Sequence, residues 1–207
     1  MTVVSVKFPI ARDPSIVRLE FSDGVQFSFK TVYLSPDLSA EALVPGCEVS
    51  AEEAVSLRYA AACYRTERAA LQLVARAEQT SFGITRKLEA KGHDKAQVRA
   101  VIAYLTGLEV VSDSRYAELW LQSHIRHPGP QVSPRRLQTK LCGRGISSDT
   151  ARKALKTILD FETESTLLWN YVNTNHLDTE KKDPALKYLL KNEGFSAAAV
   201  QAFWEEL

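Results

Sequence analysis

The residues whose types and spacing point most directly to chemistry in this chain are cations. Arg135, Arg136, Lys140 and Arg144 recur at helical intervals along one stretch, and Arg152, Lys153 and Lys156 follow on the next. Between residues 127 and 156 the single acid is Asp149. Upstream, Arg86, Lys87 and Lys91 occupy the corresponding helix of an earlier segment, with Arg99 on its successor. Rows of guanidinium and ammonium groups attract polyanions, so such a track suits phosphates or an acidic groove on a protein filament. The same residues are also compatible with solvated faces of amphipathic helices. Aromatic side chains are not interleaved with the track, which argues against binding by base stacking.

The net charge of +1 conceals a division along the 207 residues. Residues 1–63 carry five Lys/Arg against eight Asp/Glu, residues 64–160 seventeen against nine, and residues 161–207 four against eight. The segments are therefore −3, +8 and −4. A basic middle between acidic ends is the signature expected of a surface that meets an acidic partner.

Catalytic chemistry is not expected. The sequence holds no phosphate-binding G-x-x-x-x-G-K-[ST], no G-x-G-x-x-G, no G-x-S-x-G and no H-E-x-x-H. Of the four histidines, only His124 and His127 share a helix end, an i, i+3 pair expected by chance rather than as a metal site. Glu52-Glu53 and Glu205-Glu206 read as solvated carboxylates at helix ends. Cys47, Cys63 and Cys142 lie far apart with no C-x-x-C, so reduced thiols in a cytosolic protein are expected, with no disulfide framework, metal or cofactor. No apolar run approaches the roughly 20 residues needed to span a bilayer, and the first residues lack the basic-then-apolar pattern of a secretory signal.

Those cations must be held by secondary structure, and the chain reads as two kinds. Val17–Phe21 and Val25–Phe29 alternate apolar and polar residues around Ser22-Asp23-Gly24, a tight-turn signature, and Thr2–Phe8 alternates as well. Beyond the Pro- and Gly-punctuated stretch 35–46, Ser50 followed by Glu53 forms a capping box for a helix through Val55, Leu57, Tyr59 and Ala62. From there onward the apolar spacing is helical.

The helices repeat. Leu88, Leu141 and Leu190 each precede a glycine by four residues, and Asp94, Ser147 and Ser196 follow those glycines by two. A helix that stops on Gly92, Gly145 or Gly194 and is followed at once by a new N-cap is the simplest reading. A further helix precedes each turn, near 67–77, 113–126 and 163–175. The predicted fold is mainly α: three tandem three-helix repeats forming an elongated, curved strip, preceded by a small N-terminal β-hairpin or meander and a linking helix. The expected boundaries are 1–34, 35–65, 66–111, 112–160 and 161–207. The absence of a long heptad seam favours a monomer.

The order and spacing of these strings resemble the RecX regulatory family, bacterial modulators of the RecA recombinase. The likeness covers about Arg65 to Leu207 and rests on Lys87-Leu88-Glu89-Ala90-Lys91-Gly92 and Ser112-Asp113-Ser114-Arg115-Tyr116-Ala117. Gly129-Pro130, Arg136-Leu137-Gln138-Thr139-Lys140-Leu141 and Gly143-Arg144-Gly145-Ile146 complete it. Lys140 stands where the family usually carries Glu, and Gly83 where an acid is common. The resemblance implies a cytoplasmic, non-enzymatic protein acting in DNA repair and the SOS response. It would bind a RecA-type recombinase filament on single-stranded DNA and inhibit its recombinase, ATPase and co-protease activities, with weak direct DNA binding besides. The contact residues it would use are Arg86, Lys87, Lys91, Arg99, Arg115, Arg135, Arg136, Lys140 and Arg144. Asp113 is expected to cap the helix that begins at Ser114 rather than to bind. The competing expectations are a direct DNA-binding regulator of helix-turn-helix type and a helical scaffold for an acidic protein.

Overall fold

Alternation in the first thirty residues produces strands, as expected. β1 (Val3–Lys7), β2 (Ile16–Phe21) and β3 (Gln26–Lys30) form an antiparallel sheet in chain order. The β2–β3 turn is closed by Gly24 at φ 79° and by the Asp23 carboxylate, which accepts the Val25 N–H at 3.1 Å. Val17, Leu19, Phe21 and Phe29 are buried. The structure, a computed structural model, describes residues 2–7, 15–126, 132–180 and 182–207. His127 and the Gly129-Pro130 pair lie outside the described residues.

Residues 31–50 form turns and two short 3-10 segments, Thr31–Tyr33 and Ala40–Ala42, and the regular elements described after them are α-helices. A 24-residue helix, α1 (Ala51–Val74), starts on the expected capping box: Ser50 accepts from Glu53 N–H while Glu53 accepts from Ser50 N–H. The sequence led us to expect one helix near 50–62 and another near 67–77; the two are one, because no Gly or Pro interrupts this alanine-rich stretch. There follow α2 (Ser81–Ala90), α3 (Lys95–Gly107), α4 (Asp113–Arg126), α5 (Pro134–Cys142), α6 (Ser148–Ile158), α7 (Phe161–Thr174), α8 (Pro184–Asn192) and α9 (Ala197–Glu206). None of the described helices is long and apolar enough to cross a membrane.

The glycine turns form as anticipated. Gly92, Gly145 and Gly194 have φ of 86°, 86° and 89°, a region open to glycine at little cost. After each, the next residue's N–H closes on the carbonyl of Leu88, Leu141 or Leu190 at 3.1–3.2 Å, satisfying a helix-end acceptor. Those three leucines are fully buried, each contributing roughly 1.5–3 kcal/mol relative to exposure.

The chain divides into two compact units. The first, Met1–Glu78 with Ile84–Val111, has one core in which the sheet, α1 and α3 bury Leu19, Phe29, Leu57, Val98 and Leu105. Inside it lies a charged cluster. Lys30 Nζ sits 2.6 Å from Glu67 Oε1, and the Tyr33 hydroxyl donates to Glu67 Oε2 at 2.9 Å. Glu67 is 2% exposed, so this pair ties the end of β3 to the middle of α1 under water-excluded conditions. His93 Nδ1 lies 2.8 Å from Thr66 Oγ1, fastening the first glycine turn to α1.

The second unit, Gln79–Gly83 with Ser112–Leu207, packs α4 to α9 around Leu121, Leu137, Leu141, Leu168, Leu190 and Phe203. Carboxylates close its helix N-termini. Asp113 accepts both the N–H and the hydroxyl of Ser81 at 2.8 and 2.7 Å, and Glu164 does the same for Ser196 at 2.7 and 2.6 Å. Ser133, which caps α5, donates its hydroxyl to Glu193 at 2.6 Å. The expected role of Asp113 is thereby corrected. It is the first residue of α4 and accepts the first N–H of α2, a helix whose own cap is Thr80, which accepts the Gly83 N–H at 2.9 Å, while the Arg115 N–H is taken by Ser112 Oγ at 3.3 Å. Sequence distance hid this, since Ser81 and Asp113 are 32 residues apart.

Candidate functional site

Four of the nine residues picked from the sequence lie in the first unit. Arg86 and Lys87 stand on α2, Lys91 in the turn that ends it and Arg99 on α3, all four exposed. Lys91 and Arg99 have no acidic side chain within ion-pair reach among the described residues.

The other five lie in the second unit. Arg115 is exposed near the start of α4. Pro134 at the first position and Ser133 at the cap start α5, which carries Arg135, Arg136 and Lys140. Arg144 falls beyond the helix, in the turn before Gly145, where its Nη1 donates to the Lys140 carbonyl at 3.1 Å. These residues do not share one role. Arg136 Nε is 3.7 Å from Glu193 Oε2 and is half-buried. Arg135 donates its backbone N–H to the Glu193 carbonyl at 2.9 Å and reaches the Asn192 carbonyl with Nη1 at 3.4 Å. Both arginines therefore fasten α5 to the end of α8. Lys140 and Arg144 remain exposed, without an acidic partner among the described residues.

On α6, Asp149 takes up two of the cations. Arg152 Nη2 and Lys153 Nζ each lie 2.7 Å from one of its oxygens, and Lys153 first, Arg152 second, hold its carboxyl below the ordinary 3.8. Lys156, one turn on, is exposed and has no such partner among the described residues.

One feature escaped the sequence reading. Arg144 lies over the Trp120 ring at 4.7 Å, and the His124 ring stacks on the same indole with centroids 3.7 Å apart. Trp120 is 9% exposed, so it orients Arg144 rather than offering a face to a base. The Thr80 hydroxyl donates to the Arg144 carbonyl at 3.0 Å and fixes the same turn. The i, i+4 spacing of Trp120 and His124 was a visible signal for their stacking; the approach of Arg144 from the turn after α5 was not. No group of three or more His, Cys, Asp or Glu side chains that could hold a metal occurs among the described residues. Cys63 is buried, Cys47 half-buried and Cys142 exposed, all as free thiols.

Comparison with known proteins gives a consistent set of relatives, although no family model matches the chain. "Regulatory protein RecX" of Treponema pallidum (strain Nichols) is 29% identical over 122 residues, which cover 59% of this chain and 73% of that protein. "Regulatory protein RecX" of Thermobifida fusca (strain YX) is 28% identical over 148 residues, covering 69% and 79%. A crystal structure of regulatory protein RecX superposes with a TM-score of 0.64 at 15% identity, over 97% of both chains, a likeness of fold.

Proposed function

We propose that this chain, similar to proteins named regulatory protein RecX, is a member of that family, and that it binds a RecA-type recombinase filament on single-stranded DNA and restrains its recombination, ATP hydrolysis and co-protease activities. The observation that carries the proposal is the set of exposed cations on α2 to α5 and their turns, of which Lys91, Arg99, Lys140 and Arg144 have no acidic side chain within ion-pair reach among the described residues. A protein exposing uncompensated positive charge is held together by other forces and keeps that charge available to a polyanion. Arg86, Lys87, Lys91, Arg99, Arg115, Lys140 and Arg144 supply the electrostatic contact in this reading. Arg135 and Arg136 contribute charge while also bracing α5 on α8. The protein acts without chemistry of its own, as a cytoplasmic binding partner, and touches bare DNA only weakly.

The test is DNA-dependent ATP hydrolysis by preformed recombinase filaments titrated with the protein. The expected result is a fall in rate at ratios at or below one protein per recombinase subunit. Lys140→Glu and Arg144→Glu should each weaken the effect about tenfold, as losing one charge-assisted contact of roughly 1.4 kcal/mol implies. An unchanged rate together with tight binding to naked duplex would replace this reading with a direct DNA-binding regulator.

A further inference from the structure

The second unit contains a cleft of about 380 Å³ between α5, α6 and the turn before α9, a size suited to a small ligand. Arg135, Arg152 and Lys156 line it, with Asn192, and Leu155 and Leu159 form an apolar part of its wall. One carboxylate also lines it, Glu164, but both of its oxygens already accept from Ser196. Asp149 balances part of Arg152 and Lys153 from outside the cleft. The neighbouring Asp160 is engaged by the Thr163 N–H of α7 at 2.8 Å. Three cations therefore line this concavity against the single carboxylate of Glu164, a net of two positive charges around an open space, while Lys153 and Asp149 stand outside it with one charge of each sign.

We propose that this cleft is a binding site for a phosphate monoester carrying a nucleoside-sized body, such as a mononucleotide or the 5′-phosphorylated end of a nucleic-acid strand. The charge count selects the ligand. A phosphate monoester carries about −1.5 to −2 at neutral pH and matches the two uncompensated charges, whereas a carboxylate carries half as much. Guanidinium groups grip phosphate oxygens through paired donors, and Lys156 adds a point charge. The leucine wall and the Asn192 amide then face the sugar and base. The site stands apart from the filament reading and shares with it only Arg135.

The experiment is isothermal titration of the intact protein with inorganic phosphate, with AMP, and with an oligo-dT bearing either a 5′-phosphate or a 5′-hydroxyl. The expected result is saturable one-to-one binding of AMP, tighter than inorganic phosphate, and displacement of AMP by the 5′-phosphorylated strand and not by its 5′-hydroxyl counterpart. Lys156→Gln and Arg135→Gln should each weaken AMP about tenfold, Lys156→Arg should restore it, and Lys7→Gln should leave it unchanged. Circular dichroism melting of each variant separates lost binding from lost folding. AMP and phosphate binding with equal strength would overturn the nucleoside part of the proposal. Absence of saturable AMP binding, wild-type affinity in Lys156→Gln, or equal binding of the two oligonucleotides without AMP competition would overturn the site.

Discussion

Replacing Gly145 by alanine tests how tightly the turn that carries Arg144 is built. A Cβ placed on Gly145 would lie 2.3 Å from Phe82 Cβ and 2.4 Å from Phe82 Cγ, with φ at +86°. Those Phe82 atoms are next to its backbone, so rotating the ring cannot relieve the clash; either the turn or the first turn of α2 must move. The left-handed φ costs an L-residue about 1 kcal/mol and overpacking about 1–3 kcal/mol more. At Gly92, by contrast, φ is the same and nothing lies within 4 Å of the added Cβ. There only the backbone cost remains, about 1 kcal/mol, partly offset because alanine also narrows the unfolded chain. Gly145→Ala should lose roughly 2–4 kcal/mol, moving a urea midpoint by about 1–2 M for an ordinary dependence on denaturant. All three tryptophans, Trp120, Trp169 and Trp204, lie in the second unit, so their fluorescence reads this loss directly. Gly92→Ala belongs to the first unit and is read by circular dichroism. Equal losses at the two glycines, or a loss below about 1 kcal/mol at Gly145, would refute the packing argument.

Three further outcomes follow from the contacts described. Glu67→Gln removes the charge that balances the buried Lys30, and urea titration should show the first unit destabilised by about 3 kcal/mol, with little change in the tryptophan signal. Burial raises the Cys63 thiol above its ordinary 9.0 and the Tyr33, Tyr59 and Tyr171 phenols above 10.0, Tyr33 also through its bond to Glu67 and Tyr171 through Glu193. The unfolded chain then loses these protons first; stability is complete below pH 9 and falls as pH rises past 10, so a urea midpoint at about pH 10.5 should lie below that at pH 8. Arg136→Glu sets a carboxylate against Glu193 in a pair whose side chains are 42% and 20% exposed. It should cost about 1 kcal/mol by thermal melting, whereas Lys140→Glu should leave the melt unchanged, which makes Lys140 the cleaner site for functional tests.

How far the fold could be read in advance depended on the distance over which each determinant acts. The hairpin was legible because alternation and Asp23-Gly24 act within a few residues, and the three turns because Gly92, Gly145 and Gly194 stand at fixed offsets from a leucine and a cap. α1 was legible as helix but not as one helix, since only the absence of a breaker between residues 51 and 74 marks its continuity. The cations were legible as a class, but their division into bracing and exposed members was not. Arg136 is set apart from Lys140 by Glu193, 57 residues downstream, and no periodicity within α5 encodes that neighbour. The same holds for Arg144, whose position is fixed by Trp120 and Thr80 from two other segments.

The serine–carboxylate caps of the second unit also bear on how the protein is made. Ser133 opens α5 and finds its carboxylate at Glu193, and Ser196 opens α9 and finds its own at Glu164. A ribosome adds about 5–20 residues per second from the N-terminus, so a nascent chain that has emerged through α7 still lacks both completed caps. The first unit, whose sheet, α1 and α3 are all encoded by residue 111, has every partner it needs while synthesis continues. The second closes only when the last two helices arrive, so a stop codon or proteolytic cut between Val111 and Glu193 leaves an intact first unit attached to an unfinished one.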